Sequence, residues 1–119
     1  MSKYVDVYLL PIPKDNVAEY RKMARGAGKL FRKHGALAYR EYVASDLTVQ
    51  EVVPFPNVVK LNDDETLVYA AVEFKSESHR NKVMKAIFAD PEMQKLCPQK
   101  PLFDVKRMVY GGFALLVEV

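Results

Sequence analysis

The sequence predicts an α+β fold of the ferredoxin-like kind, ordered βαββαβ around a four-stranded antiparallel sheet. Three observations predict it. Two strand–helix–strand units follow one another along 119 residues. Each helical segment carries a single apolar stripe, as expected of helices laid on one face of a sheet. Finally, several strands are apolar on both alternations, so the sheet face away from the helices also needs a cover. Pairing two such sheets into a dimeric α/β barrel supplies that cover.

Residues 4–12 are apolar, β-branched or aromatic, broken by Asp6, and end at Pro11-Ile12-Pro13. Prolines suit a strand's end, so this is β1. Lys14-Asp15-Asn16 offers a helix start. Val17, Tyr20, Ala24, Ala27, Phe31 and His34 then recur at steps of three and four, widened by Met23 and Leu30. This spacing predicts α1 over about 15–34, closed by Gly35. Gly26 and Gly28 lie inside it, each at about 1 kcal/mol relative to Ala, and permit a close backbone approach.

Residues 36–44 alternate as β2. The parity of this strand stays open, because Arg40 and Glu41 point to opposite faces and only one can meet the helices. Pro54-Phe55-Pro56-Asn57 marks an extended turn and Asn62-Asp63-Asp64 a tight one. Residues 66–74 form β3. Ser76 can cap α2, whose apolar stripe is Val83, Met84, Ile87 and Phe88. Asp90-Pro91 restarts a short helix that Pro98 ends. Residues 107–117 read as β4, with Gly111-Gly112 as a bulge or bend.

Half of the residues are hydrophobic and 28% are charged. That balance belongs to a globular chain, not to a disordered or membrane protein. The length suits one domain, residues 1–119. The apolar runs fall short of the roughly 20 residues of a membrane span. The first residues lack a signal-peptide pattern, so the expected location is the cytoplasm. Cys97 is the single cysteine, so no intrachain disulfide can form. It shows no base partner and reads as a buried or semi-exposed structural residue.

There is no Walker loop, no Rossmann glycine pattern, no His-x-x-x-His pair and no Cys-x-x-Cys. Tyr110-Gly111-Gly112-Phe113 lies within a strand and opens no helix, so it is a poor phosphate cradle. His34 and His79 stand near opposite ends of different helices. One histidine alone makes a poor metal site, and His34 suits the C-terminal dipole of α1. No metal and no cofactor is expected.

The net charge of +3 is uneven. Residues 14–40 hold eight Lys or Arg against Asp15 and Glu19, or +6, which leaves −3 elsewhere. Arg21, Lys22, Arg25, Lys29, Arg32 and Lys33 all avoid the apolar stripe of α1. Such a face can meet RNA phosphates or an acidic surface. The sequence identifies no exposed aromatic platform for stacked bases, so a solvated helix face is the simpler reading and nucleic acid is not the expected partner.

Asp6, Tyr8, Tyr39, Arg40, Glu41, Tyr69, Glu73, Arg107 and Tyr110 interrupt apolar strands. Buried charges need partners. Carboxylates, an arginine and phenols around a cavity can bind a small polar ligand or hold and move a proton. The candidate ligand-binding residues are therefore Asp6, Tyr8, Tyr39, Glu41, Tyr69, Glu73, Arg107 and Tyr110. The plainer reading is ion pairs at a dimer interface and ordinary solvent-facing positions. No catalytic residue is assigned.

A series of segments is also familiar in order. It runs Val5-Asp6, residues 10–15, His34-Gly35-Ala36-Leu37, Phe55-Pro56 with Lys60, Asp64-Glu65-Thr66 and residues 89–93. It closes on the Phe-Asp-x-Lys-Arg-Met-x-Tyr-Gly-Gly-Phe stretch of residues 103–113. Over nearly the whole chain this resembles the YbaA-like family of uncharacterised bacterial proteins. The resemblance implies a dimeric α/β barrel and no particular activity. Its superfamily includes cofactor-independent monooxygenases, haem-handling enzymes and plain ligand binders, and fold alone does not choose among them. The chain departs from the family pattern at Tyr42-Val43-Ala44-Ser45-Asp46, where relatives carry a Trp or Cys before a Gly/Asp-rich turn. The expected function is a homodimeric small-molecule-binding or interaction protein. The alternatives are a cofactor-independent monooxygenase-like enzyme and RNA binding through α1.

Overall fold

The computed structural model describes residues 2–119. Strands β1 (Tyr4–Pro13), β2 (Ala38–Val43), β3 (Glu65–Phe74) and β4 (Val109–Ala114) form one antiparallel sheet ordered β2-β3-β1-β4. Helices α1 (Val17–Lys33) and α2 (Glu77–Ala89) connect them, with a short α3 (Pro91–Lys95) after α2. This is the ferredoxin-like βαββαβ arrangement.

The local signals act as their chemistry requires. Ser76 caps α2 by accepting from the His79 amide at 3.1 Å. Asp90 caps α3 by accepting from the Glu92 amide at 2.9 Å, with Pro91 in the first turn. Gly35 sits at φ 111° after α1, a conformation that favours glycine. The Glu65 amide closes the Asn62 turn on the Asn62 carbonyl at 3.0 Å. Lys14–Asn16 forms a tight 3-10 turn, but no side chain of it caps α1, and Asn16 Nδ2 donates to the Leu102 carbonyl at 2.8 Å instead. Phe55–Asn57 forms another such turn within the long loop after β2.

The structure corrects four sequence readings. β4 begins at Val109, because Val105–Arg107 is a 3-10 turn capped by the Asp104 carboxylate on the Lys106 amide. It ends at Ala114, opposite Tyr4, the first residue of β1, with one further bond from the Leu115 amide to the Lys3 carbonyl at 2.9 Å. Gly111-Gly112 makes no bulge: Asp6 to Gly112 and Val7 to Gly111 pair in unbroken register. Gly112 answers a packing need instead, since a Cβ there would run into the Tyr4 ring. Phe88, placed on the α2 stripe by spacing, is 73% exposed, and Cys97 is exposed.

Register settles which side chains share a face. Pairing aligns Glu41, Ala70, Tyr8 and Tyr110 in one row straight across the sheet, and Tyr39, Val72, Asp6 and Gly112 in the next. These rows face the helices. Buried residues form two clusters on that side. One gathers Leu10, Ile12, Tyr20, Ala24, Val68 and Leu102, and the other Phe31, Ala36, Val72, Phe74, Val83 and Ile87. The Glu41–Ala70–Tyr8–Tyr110 row lies between them, where Ala70 fills little of the space.

Candidate functional site

A cavity of about 640 Å³ opens between the sheet and the helices over that row. Its walls are mostly apolar: Leu10, Phe31, Val72 and Ile87 from the core, with Met23, Met84, Met93, Phe103 and Met108 around them. Four methionines and a phenylalanine make an adaptable lining. The size and character suit a small organic molecule.

Polar groups stand at both ends of the row. At the β2 end, the Glu41 carboxylate accepts hydrogen bonds from two phenols, Tyr20 on Oε1 and Tyr39 on Oε2. Tyr20 comes from α1 and Tyr39 from β2, so the carboxylate ties helix to sheet. Burial pushes all three of the Tyr8, Tyr20 and Tyr39 phenols far above their ordinary value, and the Glu41 charge adds to this at Tyr20 and Tyr39. Burial disfavours the phenolate at all three, and Tyr20 and Tyr39 act as donors to Glu41.

At the β4 end, Asp6 is fully buried. Its Oδ1 accepts from the Tyr110 hydroxyl at 3.1 Å, and that hydroxyl accepts from Arg80 Nη1 at 2.7 Å. Arg80 Nη2 donates to Tyr4 at 3.2 Å, and its guanidinium lies 5.0 Å over the Tyr4 ring. Arg80 Nη1 also stands 3.7 Å from Asp6 Oδ1. Burial pushes the Asp6 carboxyl up, opposed by the Tyr110 hydrogen bond and the Arg80 charge. Asp6 Oδ2 and Arg80 Nε are buried without a protein partner. The Tyr8 ring leans on Tyr110 at 4.8 Å between centroids. Arg80 and the phenols of Tyr8, Tyr39 and Tyr110 reach the cavity wall, while Asp6 acts from behind them.

Five of the eight sequence candidates thus gather on the helix side: Asp6, Tyr8, Tyr39, Glu41 and Tyr110. Three lie elsewhere. Tyr69 and Glu73 sit on β3 with the opposite parity, Tyr69 against Tyr42 at 5.8 Å and Glu73 within 3.8 Å of both Lys3 and Arg40. Arg107 pairs with Glu65 at 2.7 Å and donates to the Lys60 carbonyl at 2.8 Å, which pins the segment before β4. Tyr20 and Arg80 join the site from α1 and α2, where a polar group on a helix carries no signal like that of a polar residue in an apolar strand. Among the described residues no group of three or more His, Cys, Asp or Glu could hold a metal ion. His34 instead meets Asp90 at 2.7 Å.

Comparison with known proteins agrees with this architecture. The family model described as "Protein of unknown function (DUF1428)" matches residues 3–105. The uncharacterised protein YbaA of Escherichia coli K12 is 36% identical over 116 residues, 98% of each chain. A dimeric ferredoxin-like protein from an uncultured marine organism superposes with a TM-score of 0.61 over 100% of both chains, at 11% identity. A dimeric ferredoxin-like protein of unknown function from Jannaschia sp. CCS1 gives 0.51 over 94% of this chain and 99% of that one, at 10% identity. Identities this low bear on the fold alone. The match over residues 3–105 and the nearly full-length identity to YbaA place the chain in the DUF1428 family.

Proposed function

We propose that this protein is a homodimeric small-molecule-binding protein of a single domain, residues 1–119, acting in the cytoplasm, with its ligand held between sheet and helices. One observation carries this reading: a cavity of about 640 Å³, apolar along its length and polar at both ends of one sheet row. Tyr8, Tyr39, Glu41 and Tyr110, with Tyr20 and Arg80, supply the hydrogen bonds that orient a bound molecule, and Asp6 holds Tyr110 and Arg80 in place from behind. Tyr69, Glu73 and Arg107 belong to the outer face and the sheet's end, and serve packing and association. The dimer has two supports: the apolar outer face of the sheet, and the dimers of the similar folds named above. No helix is long and apolar enough to cross a membrane.

A second reading has one observation in its favour. Glu41 is a carboxylate at the edge of an apolar cavity, oriented by two phenols. That is a suitable base for taking a proton from an electron-rich substrate, as a cofactor-independent monooxygenase-like enzyme would require.

Native mass spectrometry of the purified protein tests both the pairing and the cavity. The expected spectrum shows two chains with a co-purified small molecule, and Ala70→Phe, which fills the middle of the row, loses that molecule while keeping the pair. A bare single chain at micromolar concentration, or a ligand still held by Ala70→Phe, would sink the proposal. With the ligand in hand, Glu41→Gln separates binding from catalysis. Binding retained with turnover abolished favours the enzyme.

A further inference from the structure

The basic face of α1 is not spread evenly into solvent. Arg21, Arg25, Lys29 and Arg32 follow at steps of four, four and three, one line along the helix. That line borders the edge strand β2. A groove of about 330 Å³ between them is lined by Arg21 and Arg25 on the helix side and by Tyr39, Glu41 and Tyr42 on the strand side. A second hollow of about 390 Å³ continues it past Arg25, Lys29 and Arg32, again ending on Tyr39. Among the described residues, Arg21, Arg25 and Lys29 form no ion pair with a carboxylate. Arg21 and Arg25 thus face the groove unpaired, beside one carboxylate, Glu41.

Tyr20, Tyr39 and Glu41 line the groove and the inner cavity alike. The wall between the two spaces is one layer of side chains, and it is closed by the two phenol-to-carboxylate hydrogen bonds. Both oxygens of Glu41 accept from phenols in that wall, which leaves its charge in place, so the groove carries two arginines against one carboxylate.

We propose that the ligand is an amphiphile with an anionic head, its apolar body in the inner cavity and its oxyanion on Arg21 and Arg25 in the α1–β2 groove. This rests on the cavity reading above and names the class of molecule. Guanidinium groups suit the head because they meet an oxyanion with paired donors and stay charged. The body suits the methionine-rich lining. The Tyr20–Glu41–Tyr39 wall is the passage between the two, and parting its hydrogen bonds lets a chain lie across it.

The test compares octanoate with 1-octanol by titration calorimetry. The two differ chiefly in head charge. The wild-type protein is expected to bind octanoate about tenfold more tightly than octanol, the scale of charge-assisted hydrogen bonds at a partly exposed site. That preference should shrink as sodium chloride is raised. In Arg21→Gln/Arg25→Gln the ratio of the two affinities should fall to about one, with circular dichroism confirming the fold. If octanol and octanoate bind wild type equally, or the ratio survives the double substitution, the anionic head is refuted while the cavity reading stands. If neither binds at millimolar concentration, the cavity reading fails and takes this inference with it. Tight, salt-sensitive binding of a single-stranded oligonucleotide with no octanoate preference would assign the basic line to nucleic acid and overturn the proposal.

Discussion

Two carboxylates stand at the candidate site, and their surroundings make them unlike: Asp6 is fully buried and Glu41 half-buried. Glu41 is met by two phenols that bring no charge. Asp6 is met by one phenol and, at 3.7 Å, by an arginine. It sits deeper, with one oxygen unpartnered, and desolvation dominates its titration. A carboxyl raised in the folded state adds stability while protonated, below its unfolded value near 3.8, and loses that contribution as pH rises through the folded value. Asp6→Asn removes the titration but keeps an acceptor for Tyr110. Its stability relative to wild type is therefore expected to improve between pH about 4 and pH about 7. Urea midpoints of both proteins across that interval check this, and a difference that does not change with pH would refute the assignment.

At the scale of the element, α1 does three jobs with three of its faces. Its apolar stripe closes the core through Tyr20, Ala24 and Phe31. Its basic line borders β2. Its glycines admit neighbours. The two interior glycines are not equivalent. A Cβ at Gly28 would stand 2.7 Å from the Tyr39 ring, which is wedged against Phe31 at 5.5 Å and bonded to Glu41. A Cβ at Gly26 would meet the tip of Leu96, which can turn away. Gly28→Ala is thus expected to destabilise by about 1–3 kcal/mol through overpacking. Gly26→Ala should be neutral or stabilising by up to about 1 kcal/mol from helix propensity. Chemical denaturation of the pair decides it, and equal effects would show that Tyr39 is not packed as described. At its C-terminal end α1 is tied to α3 by His34 and Asp90. The His34 hydrogen bond holds the Asp90 carboxyl below its ordinary range, so this tie is lost as pH falls through the folded value.

For the whole molecule, the outer sheet face is the unfinished surface. It presents the row Tyr42, Tyr69, Leu9 and Val109 and the row Ala38, Glu73, Val5 and Phe113. Phe113 is 57% exposed and Tyr42 54% exposed. Large apolar side chains spread over one flat face are a common mark of an association surface. Under the proposed pairing, Tyr69→Asp with Phe113→Asp should bring the mass by light scattering down to one chain, with the helix side and its cavity intact. A double variant that still weighs two chains would move the interface elsewhere.

The order of elements and the composition of each strand were legible in the chain itself. Period-two and period-three-to-four patterns record which residues face a core, and Ser76, Asp90, Pro91 and Gly35 mark helix ends by local chemistry alone. The doubly apolar strands likewise announced an apolar outer face, where Tyr42, Tyr69, Val109 and Phe113 stand exposed. The extent of β4 was not legible, because a strand runs only as far as its neighbour does, and Tyr4, the first residue of β1, is remote in sequence from Ala114. The same holds for the site. Asp6, Tyr8, Glu41 and Tyr110 stand out as polar residues in apolar strands, but whether Glu41 or Arg40 looks inward depends on the register of β2 against β3. Tyr20 and Arg80 have no distinctive local signal and enter through helix packing. The sequence by itself determined the fold and the kinds of side chain available to a site. Only the tertiary structure decided which of them meet, because register and helix placement are set by contacts between residues far apart along the chain.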